Sequence, residues 1–163
     1  MKLCYYASMS RLKLIAFLLT SALAPAQQNT ASLVGATRDC FQNKMYRPAD
    51  VDIYLLDPAK SNVVVTILHE MQTDSANNDW DDFFPAYERF EKAVRHTKAL
   101  GHVRSDKVGA FQFRNLRPGV RVLVIGIQDR EDEAAFYATQ DIESPHPGKN
   151  EIILDFARHD TCY

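Results

Sequence analysis

The sequence predicts a mainly β protein: a β-sandwich of seven short strands with a helical insertion after the second strand. Three observations support this prediction. Apolar and polar residues alternate over short segments, which is the period of strands. Turn-forming Gly, Pro and Asp residues separate these segments. Between residues 58 and 98 the apolar spacing changes to the period of helices.

Two strands are predicted before the insertion. Residues 31–37 form the first strand, and residues 41–47 are expected to be a loop. In residues 48–57, apolar side chains such as Val51 alternate with carboxylates such as Asp52. This alternation predicts a strand that is buried on one face only.

The insertion, residues 58–98, is predicted to be a pair of helices. One apolar stripe with helical spacing runs through residues 63–71, and a second runs through residues 80–94. Asp79 is a residue type that caps helix N-termini. Pro85 lacks the N–H that a helix interior needs, so the regular second helix is expected to begin only there.

Five further strands are predicted after the insertion: residues 101–105, 110–114, 120–128, 135–142 and 150–156. Gly109 suits a turn that needs a positive φ angle. Pro118 and Gly119 fit the central positions of a type II turn. Phe111 and Phe113 share one face of their strand and are expected in the core.

The N-terminus has the order of a secretory signal peptide. Basic residues precede a short apolar run, residues 14–23, and an Ala-Pro-Ala site that ends at Ala26. We therefore predict a leader, residues 1–26, and a mature domain, residues 27–163, that is secreted or periplasmic. The alternative is a membrane anchor, but a spanning helix needs about 20 apolar residues and this run has about half that. The membrane is expected to be involved only through the cleaved leader.

The charge of the predicted mature domain argues against a nucleic-acid partner. The leader holds three of the 19 basic residues and none of the 21 acidic ones, so the remainder carries a net charge of −5. Nucleic acids and anionic membrane surfaces bind basic proteins. We therefore expect neither as a partner.

Two cysteines remain after the leader is removed. Cys40 and Cys162 lie near the two ends of the mature domain. Export to an oxidising compartment favours a disulfide between them. Such a bridge over roughly a hundred residues contributes about 4–5 kcal/mol in loop-entropy models. The alternative, a metal or nucleophilic cysteine site, has little support because the sequence contains no CxxC motif.

The central strands carry a recognisable pattern. It consists of Gly101-x-Val103-x-Ser105-Asp106, then Gly109-x-Phe111-x-Phe113-x-Asn115-Leu116-x-Pro118-Gly119, with Gly35-x-Thr37-x-Asp39 near the start of the domain. The pattern resembles the carboxypeptidase regulatory-like domain over roughly residues 31–57 and 100–156. The chain departs from that family in its long insertion and at Arg121, where the family usually carries an aromatic residue.

The resemblance implies a seven-stranded Greek-key sandwich of the prealbumin, or transthyretin-like, type. It also implies a non-catalytic binding or accessory module, with a protein or carbohydrate partner at the cell envelope. The alternative is a small hydrolase or metal-dependent enzyme on the same fold.

The residues give little support to that enzymatic alternative. His69 and Glu70 begin like the zinc motif HExxH, but the second histidine position is Thr73. The acidic segment 129–133 has carboxylates that could bind Ca²⁺ but lacks the EF-hand pattern, and a solvated turn is favoured. We predict no catalytic residue, no metal and no cofactor.

The second helix of the insertion is unusually rich in aromatic residues. They are Trp80, Phe83, Phe84, Tyr87 and Phe90. One interpretation is that they pack on the sandwich or on the first helix. The other is that part of the stripe is exposed and docks a partner. The candidate partner-binding residues are Trp80, Phe83, Phe84 and Tyr87.

Overall fold

Two β-sheets and a pair of helices stack as three layers in the computed structural model. The structure describes residues 30–41, 44–77, 79–128 and 136–156. The strands are β1 (Ala31–Phe41), β2 (Lys44–Tyr46), β3 (Asp52–Leu56), β4 (Gly101–Arg104), β5 (Ala110–Leu116), β6 (Val122–Gln128), β7 (Phe136–Ile142) and β8 (Gly148–Asp155). A 3₁₀ turn, Pro58–Lys60, and the helices α1 (Asn62–Ala76) and α2 (Trp80–His96) lie between β3 and β4.

The first sheet is built around β1. It pairs antiparallel with β5 and β2 and parallel with β8. The second sheet has the order β4-β3-β6-β7 and is antiparallel throughout. The prediction of a mainly β chain with two sheets and a helical pair is confirmed.

Two apolar cores hold the three layers together. The first lies between the sheets and includes Leu33, Ile53, Phe113 and Val124. The second lies between the other face of the second sheet and the helices, and includes Tyr54, Leu56, Ile67, Phe90 and Ile125. Alternate side chains of β3 and β6 therefore enter different cores. The helical pair is an integral layer of the fold because it covers one face of the second sheet.

The structure differs most from the predicted strands at residues 44–46 and over residues 48–57, and β1 also continues to Phe41, beyond residue 37 where the predicted strand ends. Residues 44–46, expected in a loop, form the short strand β2, and the Tyr46 hydroxyl hydrogen-bonds the Asp39 carboxylate. The described strands therefore number eight rather than seven. The strand predicted from residue 48 begins at Asp52, since Asp50 has a φ of 56°, outside the strand region. That strand is buried on both faces rather than on one, because the helices cover it.

The second helix begins earlier than predicted. It starts at Trp80, and the Asp79 carboxylate accepts a hydrogen bond from the Asp82 backbone N–H at 3.4 Å. Pro85 lies inside the helix. The cap and the burial of Phe83 explain why the turn before the proline is already helical.

The turn at Gly109 joins the first sheet to the second. Gly109 has a φ of 72°, and its carbonyl accepts a hydrogen bond from the Thr37 backbone N–H at 2.9 Å. The Thr37 hydroxyl donates to the Pro48 carbonyl at 2.7 Å. A Cβ atom at position 109 would lie 2.3 Å from the Thr37 hydroxyl oxygen. The Thr37 and Gly109 positions of the sequence pattern are therefore coupled by close packing.

Candidate functional site: a groove between α1 and β7

A groove of about 610 Å³ opens between the helical layer and the outer part of the second sheet. One wall consists of residues 57–59 and α1, and the other is formed by the end of β7 and the segment that leads into β6. Leu68 and Leu123 supply apolar surface from the helix and the sheet. Thr139 and Asp141 of β7 line the groove, whereas Tyr137 of the same strand packs against the core under the helices. Concave, largely apolar sites with a few polar groups are typical binding sites.

The first helix uses two neighbouring stripes of side chains. Val64 and Met71 point into the core, with Ile67 and Leu68 between them. The stripe one position along the helix, Val65, His69 and Gln72, lines the groove together with Leu68. Both stripes have the helical spacing of three and four residues. One short helix therefore contributes to both the core and the groove wall.

The two carboxylates that line the groove are held in ion pairs. Arg121 Nε lies 3.0 Å from Asp141 Oδ1, and the guanidinium makes a second hydrogen bond to the same carboxylate. Lys60 Nζ lies 3.2 Å from Asp57 Oδ2 at the 3₁₀ turn. The hydrogen bond from Arg121 lowers the pKa of Asp141 against the opposing effect of partial burial. The groove therefore presents fixed charges on either side of an aliphatic floor.

A second polar cluster lies at the other end of the helical layer. The buried carboxylate of Asp52 contacts His102 Nε2 at 3.0 Å, Arg104 at 3.3 Å and Arg95 of α2 at 3.6 Å. Burial opposes ionisation of Asp52, but the hydrogen bonds from Arg104 and His102 outweigh it and lower its pKa. The His102 ring stacks on Tyr54 with centroids 4.4 Å apart. This cluster fastens the end of α2 to β3 and β4.

The structure separates the aromatic residues that the sequence grouped together. Phe83 is 2% exposed and Tyr87 is 5% exposed, and both belong to the core under the helices. Their burial leaves them no surface to offer a partner. Phe84 is 44% exposed. Trp80 begins α2, but its side chain lies outside the described residues. Partner binding through the exposed part of this stripe stays a prediction.

The other predicted sites lie partly outside the described residues. The Cys40 sulfur is disulfide-bonded, while Cys162 lies outside the described part of the chain, so their pairing stays a prediction. The acidic segment 129–133 also lies outside it. Within the ranges that the structure describes, no three or more His, Cys, Asp or Glu residues are placed to hold a metal ion. No described helix is long and apolar enough to cross a membrane.

Comparisons with known proteins give no family for the chain. No family model matches it, and no curated protein does. A minor pilin of the Gram-positive pathogen Streptococcus agalactiae aligns with 83% of this chain at 10% identity and a TM-score of 0.43. The pilus backbone protein of Streptococcus pneumoniae aligns with 76% at 12% identity and a TM-score of 0.36. The aligned part spans 47% and 40% of those two chains. Likeness at this level carries no argument about function.

The residues that line the groove were not predicted from the sequence. Val65 and Thr139 carry no motif, and their role depends on which face of α1 meets which end of β7. One signal was present in the sequence. Arg121 stands where the resembling family usually has an aromatic residue, and it lines the groove. At this position the chain therefore has a charged side chain in the groove wall, where an aromatic residue would have been expected.

Proposed function

We propose that this protein is an exported, non-catalytic binding module, built on a carboxypeptidase regulatory-like sandwich, whose partner is a protein at the cell envelope. The observation that carries the proposal is the open groove between α1 and β7. It combines an aliphatic floor with fixed ion pairs at its walls, which is the composition of a recognition site.

Export is part of the proposal and is supported by two features of the chain. Residues 1–26 have the order of a secretory leader. Cys40 is disulfide-bonded, as expected of a protein in an oxidising compartment. We propose Cys162 as its partner and cleavage after Ala26.

The contact surface follows from the helical insertion. The insertion supplies α1 and the 3₁₀ turn, and these form one wall of the groove. Val65 is an apolar side chain on that wall and is 38% exposed. Phe84, on the second helix, is a separate exposed aromatic. We place the partner in the groove rather than on Phe84 because the groove is concave and lined from two layers.

Site-specific photocross-linking tests this placement in the source cells. A photoreactive amino acid at position 65, inside the groove, is compared with one at position 63 on the same helix. Val63 is 65% exposed and does not line the groove, so it is the matched control. A protein adduct specific to position 65 supports the proposal. Equal adducts at both positions, no adduct at 65, or an adduct to a glycan would each contradict it.

A further inference from the structure

The strand β7 forms one wall of the groove and is also an edge of its sheet. It pairs with β6 on one side, and among the described residues no other strand pairs with it. An edge strand presents a row of backbone N–H and C=O groups that can pair with another chain. The groove therefore lies directly beside a set of backbone hydrogen-bonding groups.

The β7 edge lacks one form of protection that the other described edge strands have. Lys or Arg side chains on edge strands discourage pairing with other chains. The other described strands at the sheet edges carry such residues: Lys44 on β2, Arg104 on β4, Arg114 on β5 and Lys149 on β8. The seven residues of β7 include neither Lys, Arg nor Pro. Among the described edge strands, β7 is the one that carries neither Lys nor Arg, and its charged residue, Asp141, is paired with Arg121.

We propose that the occupant of the groove is an extended peptide segment of the partner protein, added as a strand to the free edge of β7. This inference rests on the proposed function. The added strand's backbone would bond to β7, which gives affinity with little dependence on sequence. Alternate side chains of the strand would lie beside Thr139 and Asp141, on the face that forms the groove wall.

The charges around the groove select the flanks of such a peptide. Asp57 and Asp141 line the groove, and Glu143 directly follows the last residue of β7. Against these three carboxylates stand Arg121 and Lys60. A peptide with apolar alternate residues and lysine flanks is therefore the complementary ligand.

Amide exchange measured by NMR on the isotope-labelled exported protein tests the binding mode. The probe is the synthetic peptide acetyl-Lys-Val-Thr-Val-Thr-Lys-amide. Its controls are the same peptide with glutamate flanks and a version with N-methyl groups on all four central residues, which cannot pair through either backbone edge. We expect slower exchange at alternate amides of β7, because only every second N–H of a strand points to its free edge. We also expect at least tenfold weaker binding of the methylated peptide.

Each result separates this inference from the proposed function. Equal binding of the methylated and unmethylated peptides would overturn strand addition, and so would an absence of β7 protection at about 1 mM peptide. Equal binding of the glutamate-flanked peptide would overturn the charge argument. A cross-link specific to position 65 without β7 protection would leave the binding module standing and remove the strand. If the cross-link is also missing, both proposals fail.

Discussion

The Nε2 atom of His102 lies 3.0 Å from the Oδ1 atom of Asp52, on neighbouring strands of the second sheet. The same carboxylate is held by Arg104 of β4 and by Arg95 of α2. Asp52 is buried, while its cationic partners are partly exposed. One carboxylate therefore joins the edge of the sheet to the last turn of the helical layer.

Replacing Asp52 should destabilise the protein. The substitution D52N removes the charge but keeps the shape, and it leaves Arg95, Arg104 and the His102 ring without their common carboxylate. We expect the free energy of unfolding at pH 7 to fall by about 1–3 kcal/mol, measured by urea denaturation. The matched control is D155N, since the Arg38–Asp155 pair is exposed and such pairs contribute about 0–1 kcal/mol. Equal losses in the two variants would contradict the role of burial.

The Asp52 carboxylate should also make the free energy of unfolding depend on pH in the acid range. The pKa of Asp52 is lower in the folded protein than in the unfolded chain, because the hydrogen bonds from Arg104 and His102 outweigh the burial that opposes ionisation. Its contribution is therefore fully present above the unfolded value of about 3.9. It is lost as the pH falls through the lower folded value. Urea midpoints measured between pH 7 and pH 2 should fall less steeply for D52N than for the wild type. Parallel curves would refute this linkage.

The buried aromatic residues of α2 should behave as core residues. Phe90 is fully buried and packs 5.3 Å from the Tyr137 ring, measured between centroids. We expect F90A to lower the free energy of unfolding by about 3–5 kcal/mol. Phe84 lies on the same helix but is exposed, so F84A should lower the free energy of unfolding by less than about 1 kcal/mol. A small effect of F90A on thermal unfolding would show that the helical layer is not part of the cooperative core.

Gly109 and Gly119 form a matched pair for measuring a packing constraint. Their φ angles are 72° and 74°, so an alanine is strained by a similar amount at either position, about 1–2 kcal/mol. A Cβ atom at 109 would also meet Thr37 at 2.3 Å, whereas nothing lies within 4 Å at 119. We expect G109A to be clearly less stable than G119A. Similar denaturation midpoints for the two variants would mean that the Thr37 side chain moves away from the new Cβ atom without any loss of stability.

The predicted disulfide between Cys40 and Cys162 has a direct readout. Intact-mass measurement of the exported protein should give a mass two hydrogens below that of the dithiol form. Peptide mapping without reduction should recover Cys40 and Cys162 in one linked fragment. Reduction should lower the free energy of unfolding by about 2–5 kcal/mol, where the upper end is the loop-entropy value and strain in the bridge reduces it. A linked fragment that joins Cys40 to another cysteine would contradict the pairing.

The strands that the sequence predicted best have strong local signals. Residues 120–128 are almost continuously apolar, and they form β6, which is buried on both faces between two cores. The short strand β2 was missed because three residues carry no periodicity, and its place is set by pairing with β1. The double burial of β3 was missed for a related reason. No signal within residues 48–57 indicates that the helical pair of residues 58–98 will cover the second face of this strand.

The site was harder to predict than the fold because identical neighbouring side chains lie in different environments. Val63, Val64 and Val65 are consecutive and identical, yet Val64 is in the core, Val65 lines the groove and Val63 does neither. The aromatic stripe misled the prediction in the same way. Helical spacing places Phe83 and Tyr87 on one face, but only the packing shows that this face meets the sheet. The helical period within residues 58–98 predicted the two helices correctly, and partner binding through the exposed part of the second helix stays a prediction.

The central claim is that the groove between α1 and β7 holds the partner. The most direct test is the affinity of the cross-linked partner, once identified, for V65E and V63E. Both substitutions add the same charge to the same helix, but only position 65 lies in the groove. We expect V65E to bind at least tenfold more weakly than the wild type and V63E to bind within about twofold of it, a difference of about 1.4 kcal/mol or more. Equal affinities for the two folded variants would contradict the account.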